Sequence, residues 1–524
     1  MEINNLYNFR NTIRHFLDID NLILPSDFTS KTVEDTCWTK PFKFRVQKED
    51  NSYRTLKIPN ILSFRVAENR LHTYDNFYSL PEMDEHKRLS ADLTIGDFSI
   101  GEFDRQLEDD FNKLCIYDCL VKLDIHEFYG RLYTHYLDFH ENDSDRYITN
   151  LNFGATNGLI MGNYLSLYFA EQHLVKISKR ISQKLQDAQI RCEFSYFSDD
   201  FYFFCNSDDI SMIEEIFRLV LDEFDLEAND NKTQIWDYET FNSDNVIARY
   251  WKRIVAGCNR NYNDKKNDNK LVFINQLVYR SSLLAELKKK RILITNFFKT
   301  KYFRTLELSK FNVKDYDYHQ LCFIFRTSPE AMLYSIDRFK DMSGFEMGRL
   351  KEFFQLRYAQ VLKDQFQDAQ LYYFYAISIA EFRDIAQDNE KSVLYSENQV
   401  LISLYLENNL FSDTSVETLK GFQSEDKWFQ NYHLILNTSD LYQNLEENIE
   451  KYLIPEVVKG RSTPCQCARA AFYLEFYKRN LSERKSLVRS VEDIQTTVDK
   501  YLEERFKIEE RLFEESKKTG IKGL

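Results

Sequence analysis

The chain has few glycines and prolines and no long run of apolar residues. Its 524 residues include only 13 Gly and 7 Pro, which argues against a collagen-like or low-complexity chain and against long flexible loops. No segment reaches the roughly 18 consecutive apolar residues of a membrane-spanning helix, and the first residues lack the basic and apolar regions of a signal peptide. These absences predict a cytoplasmic, largely helical protein with no membrane partner.

The cysteines are few and scattered. The chain has 9 of them, an odd number without regular spacing, which is typical of reduced thiols in a cytosol. The closest pair, Cys465 and Cys467, has no second pair or nearby histidine to complete a tetrahedral zinc site. The pattern therefore argues against a disulfide framework and against structural zinc.

The net charge is negative, yet basic residues gather in two places. A formal net charge of −14 argues against a protein that binds polyanions over its whole surface. Phosphate binding depends on local clusters, and the chain has two of these: Lys43, Arg45, Lys48, Arg54, Lys57 and Arg65, then Lys288, Lys289, Lys290, Arg291, Lys299, Lys301 and Arg304. The second cluster is typical either of a solvated helix face or of a phosphate track.

Two adjacent carboxylates interrupt an aromatic run at residues 194–205. The run is Phe-Ser-Tyr-Phe-Ser-Asp-Asp-Phe-Tyr-Phe-Phe-Cys, and aromatic residues favour strands whereas aspartate does not. Asp199 and Asp200 are therefore predicted at the tip of a β-hairpin. Paired carboxylates are ligands for hard cations such as Mg²⁺, and an exposed Asp-Asp turn between two core strands is the alternative.

Other segments place polar residues at the ends of predicted elements. Residues 42–59 alternate around a polar turn and predict a hairpin with basic side chains. The apolar run at 115–124 ends on Asp124, a poor packing residue and a good metal ligand. Gly158 to Ser166 opens a long helix, where glycine allows close backbone approach and Asn or Ser can cap. An amphipathic helix at 213–224 then precedes a polar turn that carries Lys232.

Beyond about residue 245 the pattern is almost purely helical. Leu371, Phe374 and Tyr375 have the spacing of an amphipathic helix, and similar stripes recur without a fixed period. Such stripes are typical of a helical array, with a helix bundle as the alternative. We therefore predict an α+β domain over residues 1–245 and an all-α domain over residues 246–524.

The order of these features resembles that of the reverse transcriptases. The matching segments run from residue 54 to residue 233. They are similar, in chain order, to the Arg-x-Leu-x-Ile-Pro run of the fingers, the first metal motif, the template and primer motif, the aromatic-x-Asp-Asp motif and the Asn-x-x-Lys-Thr turn: Arg54 to Pro59, Leu123 to Tyr129, Gly158 to Ser166, Phe197 to Asp200, and Asn229 to Thr233.

Details within the motifs are most similar to the bacterial abortive-infection reverse transcriptases. The details are Phe128 to His135, Gly162-Asn163-x-x-Ser166 with Glu171 in the following helix, and Asn229 to Thr233. This resemblance implies polymerase fingers and palm followed by a HEAT-like helical-repeat domain, a homo-oligomer, and DNA synthesis from deoxynucleoside triphosphates in defence against phage. It also implies that the protein itself primes untemplated synthesis, so that the DNA product is attached to it covalently.

The resemblance also implies roles for individual residues. The proposed ligands of two Mg²⁺ ions, or of Mn²⁺ in their place, are Asp124, Asp199, Asp200 and the carbonyl of Ile125. Lys232 assists the leaving pyrophosphate, and the ring of Tyr129 lies under the sugar and disfavours a 2′-hydroxyl. The remaining nucleotide-binding residues are Arg54, Lys57, Gly162, Asn163 and Ser166.

Two departures and several alternatives accompany this interpretation. Phe197 fills the aromatic position of the Asp-Asp motif, and Ile160 stands where many reverse transcriptases have proline; neither change removes a metal ligand. Lys232 is alternatively a surface lysine and Tyr129 a core aromatic. For the whole protein, the alternatives are an RNA-templated reverse transcriptase and a non-catalytic scaffold whose helical array senses phage.

Overall fold

A computed structural model describes residues 2–49, 52–78, 84–245 and 272–519 of the protein. The fold is mixed α/β with a helical C-terminal region. The strands of the described residues are β1 (Phe42–Glu49), β2 (Ser52–Ile58), β3 (Ala91–Asp92), β4 (Asp97–Phe98), β5 (Cys119–Asp124), β6 (Glu193–Phe197), β7 (Asp200–Cys205) and β8 (Gln234–Trp236).

Helices separate the strands of the first half of the chain and form almost all of the second half. The helices of the first half are α1 (Ile3–Tyr7), α2 (Ile61–Leu71), α3 (Glu102–Leu114), α4 (Phe128–Arg131), α5 (Arg146–Thr149), α6 (Tyr164–Asp187), α7 (Ile210–Glu223) and α8 (Tyr238–Asp244).

The second half continues as a succession of helices. They are α9 (Val272–Ser282), α10 (Leu287–Phe298), α11 (Lys301–Thr305), α12 (Asp315–Thr327), α13 (Ala331–Phe339), α14 (Lys351–Lys363), α15 (Gln367–Ile379), α16 (Arg383–Asp388), α17 (Glu390–Leu394), α18 (Gln399–Glu407), α19 (Asp413–Lys420), α20 (Trp428–Asn437), α21 (Ser439–Gln443), α22 (Leu445–Tyr452), α23 (Glu456–Lys459), α24 (Pro464–Ser482) and α25 (Val491–Thr519).

The sheet that carries the predicted carboxylates has four antiparallel strands in the order β6–β7–β5–β8. Side chains alternate between its two faces. On one face, Phe201 and Phe203 lie 5.3 and 6.0 Å, between ring centroids, from Phe217 of α7. On the other face, Leu120 and Phe204 pack with α3 and α8 in a smaller core.

Because of this alternation, Lys122 and Asp124 lie on the same face as Leu120. Their cross-strand partners are Tyr202 and Asp200. Helices α3 and α8 cover the Leu120 end of this face. The carboxylates lie at its opposite end, beyond the apolar contacts with α3 and α8.

The hairpin of β1 and β2 packs against the helical second half of the chain. Phe42 lies 5.7 Å from Trp428 and 5.3 Å from Phe429, between ring centroids. The backbone amides of Arg45 and Gln47 donate hydrogen bonds to side chains at the start of α15, at 2.8 and 3.2 Å. A single cluster of buried apolar side chains extends from the first helix to the last, so the hairpin and the helical region share one core.

The structure agrees with several expectations from the sequence. It has the hairpin at residues 42–58, the strand ending on Asp124, the long helix from Tyr164 and the Asp-Asp hairpin. Asp200 is the first residue of β7, and Ser198 turns the chain with a positive φ of 55°. The predicted boundary after residue 245 adjoins residues 246–271, which lie outside the described residues, so the division into two domains and the HEAT-like repeats stay predictions.

No helix within the described ranges combines the length and apolar character needed to cross a bilayer. The cysteines of these ranges are free thiols. Cys119 and Cys205 lie opposite each other on β5 and β7 with 3.8 Å between their sulfur atoms, which is a contact and not a disulfide bond.

Phe42→Ala tests whether the hairpin and the helical region share a core. The ring is 1% exposed, and its removal should lower the free energy of unfolding by about 3–5 kcal/mol because a cavity forms in the core. Chemical unfolding followed by tryptophan fluorescence and far-ultraviolet circular dichroism measures the change. Tyr395→Ala, at a ring 67% exposed, should change stability by less than about 0.5 kcal/mol. Separate transitions, only one of them shifted, would contradict a shared core.

Candidate active site

The three predicted carboxylates come together at one end of the sheet. Asp124 of β5 lies directly opposite Asp200 of β7, and directly opposed residues of an antiparallel pair have Cβ atoms about 4.5–5.5 Å apart. The amide of Ile125 donates a hydrogen bond of 3.0 Å to the carbonyl of Asp199. Strand pairing therefore brings residues about 75 positions apart in the chain into one cluster.

Asp124 is buried and fully engaged. Its side chain is 2% exposed, and its two carboxylate oxygens accept hydrogen bonds from Asn229 at 2.9 Å and from Lys232 at 2.6 Å. The amide of Asn229 also donates to the backbone carbonyl of Asp124 at 2.8 Å. The predicted polar turn is thus held against the end of β5, and Lys232 is brought to the carboxylates.

Burial disfavours the charged form of Lys232, but the nearby carboxylates outweigh burial. The hydrogen bond with Asp124, and then the charges of Asp124, Asp199 and Asp200, raise the pKa of Lys232 above its usual value. The ammonium group therefore stays protonated at the site over the physiological pH range. It can supply positive charge or a proton to an anionic leaving group.

Asp200 is held by Lys122, which the sequence interpretation missed. The Lys122 ammonium lies 2.9 Å from a carboxylate oxygen of Asp200. Burial raises the pKa of Asp200, Lys122 opposes the rise, and Asp199 and Asp124 add to it. The signal for Lys122 is its spacing: it is a charged residue inside an apolar strand, two positions before Asp124 and so on the same face.

The chemistry of these carboxylates fits a divalent cation, but Asp124 and Asp200 already form ion pairs with lysines. Carboxylate oxygens are the ligands that Mg²⁺ prefers, and two of the three carboxylates are held by lysines. Within the part of the chain that the structure describes, no three His, Cys, Asp or Glu side chains converge closely enough to hold a metal ion. Metal binding by Asp124, Asp199, Asp200 and the Ile125 carbonyl therefore stays a prediction.

Tyr129 is partly buried and packs against the core, and its contact with a sugar stays a prediction. Burial, then the charges of Glu171 and Asp199, raise the pKa of its hydroxyl, so the side chain stays neutral. The amide of Leu159 donates a 2.7 Å hydrogen bond to the backbone carbonyl of Tyr129. This bond joins the backbone of Tyr129 to the segment that leads into α6.

The N-terminal segment adds a cation that no sequence motif indicated. The guanidinium of Arg10 lies 5.4 Å from the ring centroid of Phe197 and 5.2 Å from that of Phe98. Burial raises the pKa of Tyr129, and the charge of Arg10 opposes this rise. Only the tertiary structure brings this arginine to the tip of the Asp-Asp hairpin.

The residues at the start of α6 serve the helix itself. Asn163 caps α6 by accepting a 3.0 Å hydrogen bond from the amide of Ser166, as the sequence allowed. Asn163 is 3% exposed and Ser166 is fully buried. Gly162 faces Leu56 of β2, since a Cβ atom at Gly162 would lie 3.4 Å from the leucine side chain. Nucleotide binding by Gly162, Asn163 and Ser166 stays a prediction.

The two basic residues predicted to bind the triphosphate differ in their surroundings. Arg54 is exposed on β2. Lys57 is half-buried and donates a 2.9 Å hydrogen bond to the side chain of Asn152. Burial, and then the neighbouring Lys43, lower the pKa of Lys57. Because Leu56 packs on Gly162, β2 lies against the start of α6.

A buried ion pair lies behind this cluster. Lys87 and Glu171 are 2.8 Å apart, with side chains 5% and 1% exposed. After burial, the charge of Glu171 is the next cause that raises the pKa of both Tyr129 and Tyr196. The resemblance to the abortive-infection reverse transcriptases singled out Glu171, but no sequence motif indicated Lys87 as its partner.

Comparisons with known proteins give distant similarities. No protein-family model and no curated protein matches the chain. Among solved structures it is similar to a telomerase from Candida albicans in complex with a TWJ fragment of telomeric RNA, at 11% identity over 74% of this chain and 64% of the telomerase, with a TM-score of 0.28. It is also similar to an apo telomerase from Candida tropicalis, at 13% identity over 73% of this chain and 68% of that one, with a TM-score of 0.28. The chain thus spans a little under two thirds of the first telomerase.

Lys232→Met tests whether the lysine balances the buried carboxylate. In the presence of a chelator the change should lower the free energy of unfolding by about 1–3 kcal/mol, because Asp124 loses a charged hydrogen-bond partner. Thermal or chemical unfolding measures this. The double change Asp124→Asn/Lys232→Met should regain part of the loss. Lys176→Met breaks a surface pair with Asp138 and should cost less than about 1 kcal/mol. Wild-type stability in Lys232→Met would contradict the role of Lys232.

Proposed function

We propose that the protein is a nucleotidyltransferase of the reverse transcriptase type that polymerises deoxynucleotides. The observation that carries the proposal is that Asp124 of β5 lies directly opposite Asp200 of β7. Asp199 lies next to them, because its backbone carbonyl accepts a hydrogen bond from the amide of Ile125. A carboxylate cluster at the end of a half-open sheet face, with Lys232 at its edge, supports chemistry on phosphate groups. In this proposal the four-stranded sheet is a polymerase palm, and the hairpin of β1 and β2 belongs to its fingers.

The finer features of the proposal depend on the resemblance of the motifs to abortive-infection reverse transcriptases. They are priming by the protein, synthesis without a nucleic-acid template, a covalently attached DNA product, assembly into a homo-oligomer, and defence against phage in the cytoplasm. The HEAT-like array of the second half is part of the same proposal. The described succession of helices from α9 to α25 supports it.

The side chains of the cluster have distinct tasks in this proposal. Asp124 and Asp199, assisted by Asp200 and the Ile125 carbonyl, would hold two Mg²⁺ ions, or Mn²⁺ in their place. Bound there, the ions would supply positive charge for activating an attacking hydroxyl and for neutralising a leaving pyrophosphate. Lys232 keeps its proton beside the leaving group. Arg54, Lys57 and the segment Gly162, Asn163 and Ser166 bind the incoming nucleotide from the side of β2.

A second candidate function is that of a non-catalytic scaffold. The observation that favours it is that Lys232 and Lys122 occupy Asp124 and Asp200, so that the carboxylates are balanced without a metal. Lysine–aspartate ion pairs that serve only to stabilise a protein core would make the same contacts. In this case the palm is structural and the helical array contacts the partner.

Incorporation of labelled deoxynucleotides distinguishes these functions. Purified protein with Mg²⁺ and labelled deoxynucleoside triphosphates, without template or primer, should yield label attached to the protein. Asp124→Asn and Asp199→Asn should each reduce incorporation by more than about 100-fold, because loss of an outer-shell partner of a metal already costs about 10–100-fold. Asp208→Asn, at an exposed carboxylate just beyond the same hairpin, should leave incorporation unchanged.

The other outcomes of this assay decide between the alternatives. Product whose sequence follows an added RNA would replace untemplated synthesis by RNA-templated synthesis. Absence of incorporation with every nucleotide, RNA and metal tried, together with phage protection by Asp124→Asn, would support the scaffold and overturn the polymerase.

Tyr129→Ala tests the recognition of the sugar. In the proposal the ring lies under the sugar, and its removal should open space for a 2′-hydroxyl. The preference for deoxynucleotides over ribonucleotides should fall by about 10–200-fold, the range typical of a steric pocket. Competing incorporation of the two nucleotide types measures it. Tyr129→Phe keeps the ring and should keep the preference, and an unchanged preference in Tyr129→Ala would exclude the ring as the discriminating group.

A further inference from the structure

Two exposed aromatic rings lie on neighbouring segments next to the β1–β2 hairpin. Trp38 is 50% exposed and Phe153 is 41% exposed. The two segments are joined because the amide of Thr39 donates a 3.0 Å hydrogen bond to the carbonyl of Asn150. Neither ring is covered by the core that buries most aromatic residues of this chain.

The backbone has positive φ angles at both residues 153 and 154. Phe153 has a φ of +55°, where it ends the short 3-10 helix Asn150–Asn152, a conformation that is uncommon for a bulky residue. Gly154 follows with a φ of +76°, and a Cβ atom there would lie 2.6 Å from the indole of Trp38. Only glycine therefore lets the indole lie against this loop.

Three lysines surround the rings. The ammonium of Lys40 lies 5.6 Å from the ring centroid of Phe153. Lys43 and Lys57 are direct cross-strand partners in the β1–β2 ladder, and Lys57 reaches Asn152, next to Phe153. Like charges directly opposed in a ladder are destabilising, so this pair is unfavourable unless an anion binds.

These lysines form no direct ion pair among the described residues, although the charge of Lys40 opposes the rise that burial causes in the pKa of Glu425. Among the described residues, no carboxylate lies within 4.0 Å of Lys40, Lys43 or Lys57, although the chain has a net charge of −14. Arginines of the first basic cluster do form ion pairs, Arg45 with Glu397 and Arg65 with Glu68. The second basic cluster contains several ion pairs: Lys289 with Glu286, Lys299 with Glu330, Lys301 with Glu510, and Arg304 with Asp499. The sequence left a solvated helix face and a phosphate track open for that second cluster, and these ion pairs argue against a phosphate track.

The same loop leads directly to the candidate active site. The side chain of Asn152 donates a 3.4 Å hydrogen bond to the carbonyl of Gly158. The next residue, Leu159, bonds to the backbone of Tyr129. Hydrogen bonds therefore connect the loop that carries Phe153 to the backbone of Tyr129, next to the candidate active site.

We propose that Trp38 and Phe153, with Lys40, Lys43 and Lys57, form a stacking platform for single-stranded DNA. Proteins that bind single strands combine cations that follow the backbone with exposed rings on which bases stack. A duplex offers no such faces, because its bases are stacked on each other. The choice of DNA over RNA rests on the proposed polymerase, whereas binding itself needs neither metal nor nucleotide.

Fluorescence anisotropy of a labelled oligothymidine, with the full chain in chelator and without nucleotides, tests the platform. Trp38→Ala should weaken binding by about 5- to 100-fold, the range typical of lost base stacking. Tyr395→Ala, at an aromatic ring 67% exposed elsewhere, should bind as the parent does. Lys40→Ala/Lys43→Ala should reduce the salt dependence, by about 0.7 in the logarithmic slope for each lost phosphate contact, and Lys507→Ala should not.

A second measurement covers the case in which Trp38→Ala disturbs the fold. Oligothymidine should quench the tryptophan emission of the parent. Trp38→Phe should keep most of the binding and lose the quenching, since a ring remains but the indole does not. Equal affinity of the parent and Trp38→Ala, or an affinity for duplex DNA equal to that for the single strand, would overturn stacking.

The remaining outcomes are also decisive. Tighter binding of oligouridine than of oligothymidine would overturn the assignment to DNA. Absence of binding combined with a self-association that Trp38→Ala abolishes would assign the surface to contact between copies of the chain instead. Because no catalysis is involved, a failure to incorporate nucleotides leaves this result unaffected, and binding without incorporation would separate the two proposals.

Discussion

The register between β5 and β7 is the constraint on which the candidate site depends. Side chains alternate along a strand, so a slip of one residue would turn Asp124 and Asp200 to opposite faces. The apolar residues behind them hold the register, because Phe203 packs toward α7 while Phe204 packs toward α3 and α8. The carboxylates repel each other, and it is therefore the packing of their neighbours on both faces of the sheet that brings them together.

Such a cluster is unfavourable unless cations balance it. Neighbouring carboxylates disfavour each other's charge, and burial adds to the effect. Lys232 and Lys122 lie within 3 Å of Asp124 and Asp200 respectively, at 2.6 and 2.9 Å, and Asn229 supplies a further hydrogen bond. Two of the three carboxylates thus have an ammonium partner within the protein, and any cation that binds there must compete with these two ammonium groups.

The buried aromatic side chains and the paired lysines of the β1–β2 hairpin lie on opposite faces. Phe42 and Phe44 of β1 are buried in the core that includes the C-terminal helices. Lys43, one position from each of them, is exposed and meets Lys57 on the same face. The backbone amides of Arg45 and Gln47 donate to side chains of α15 and so hold the hairpin at the edge of β1. The buried rings hold it from the apolar face, and the lysines lie on the opposite face.

Local pattern was enough to predict the elements that carry the chemistry. The Asp-Asp hairpin, the strand ending on Asp124, the cap at Asn163 and the turn with Lys232 all follow from residue types and periodicity, because alternation, capping and turn formation are properties of short segments. Lys122 was predictable in principle from its spacing to Asp124. The contacts of Arg10 with Phe197, of Lys87 with Glu171 and of Trp38 with Gly154 join segments distant in the chain. These contacts depend on how separate elements pack, which no local pattern contains, and so the tertiary structure alone decided them.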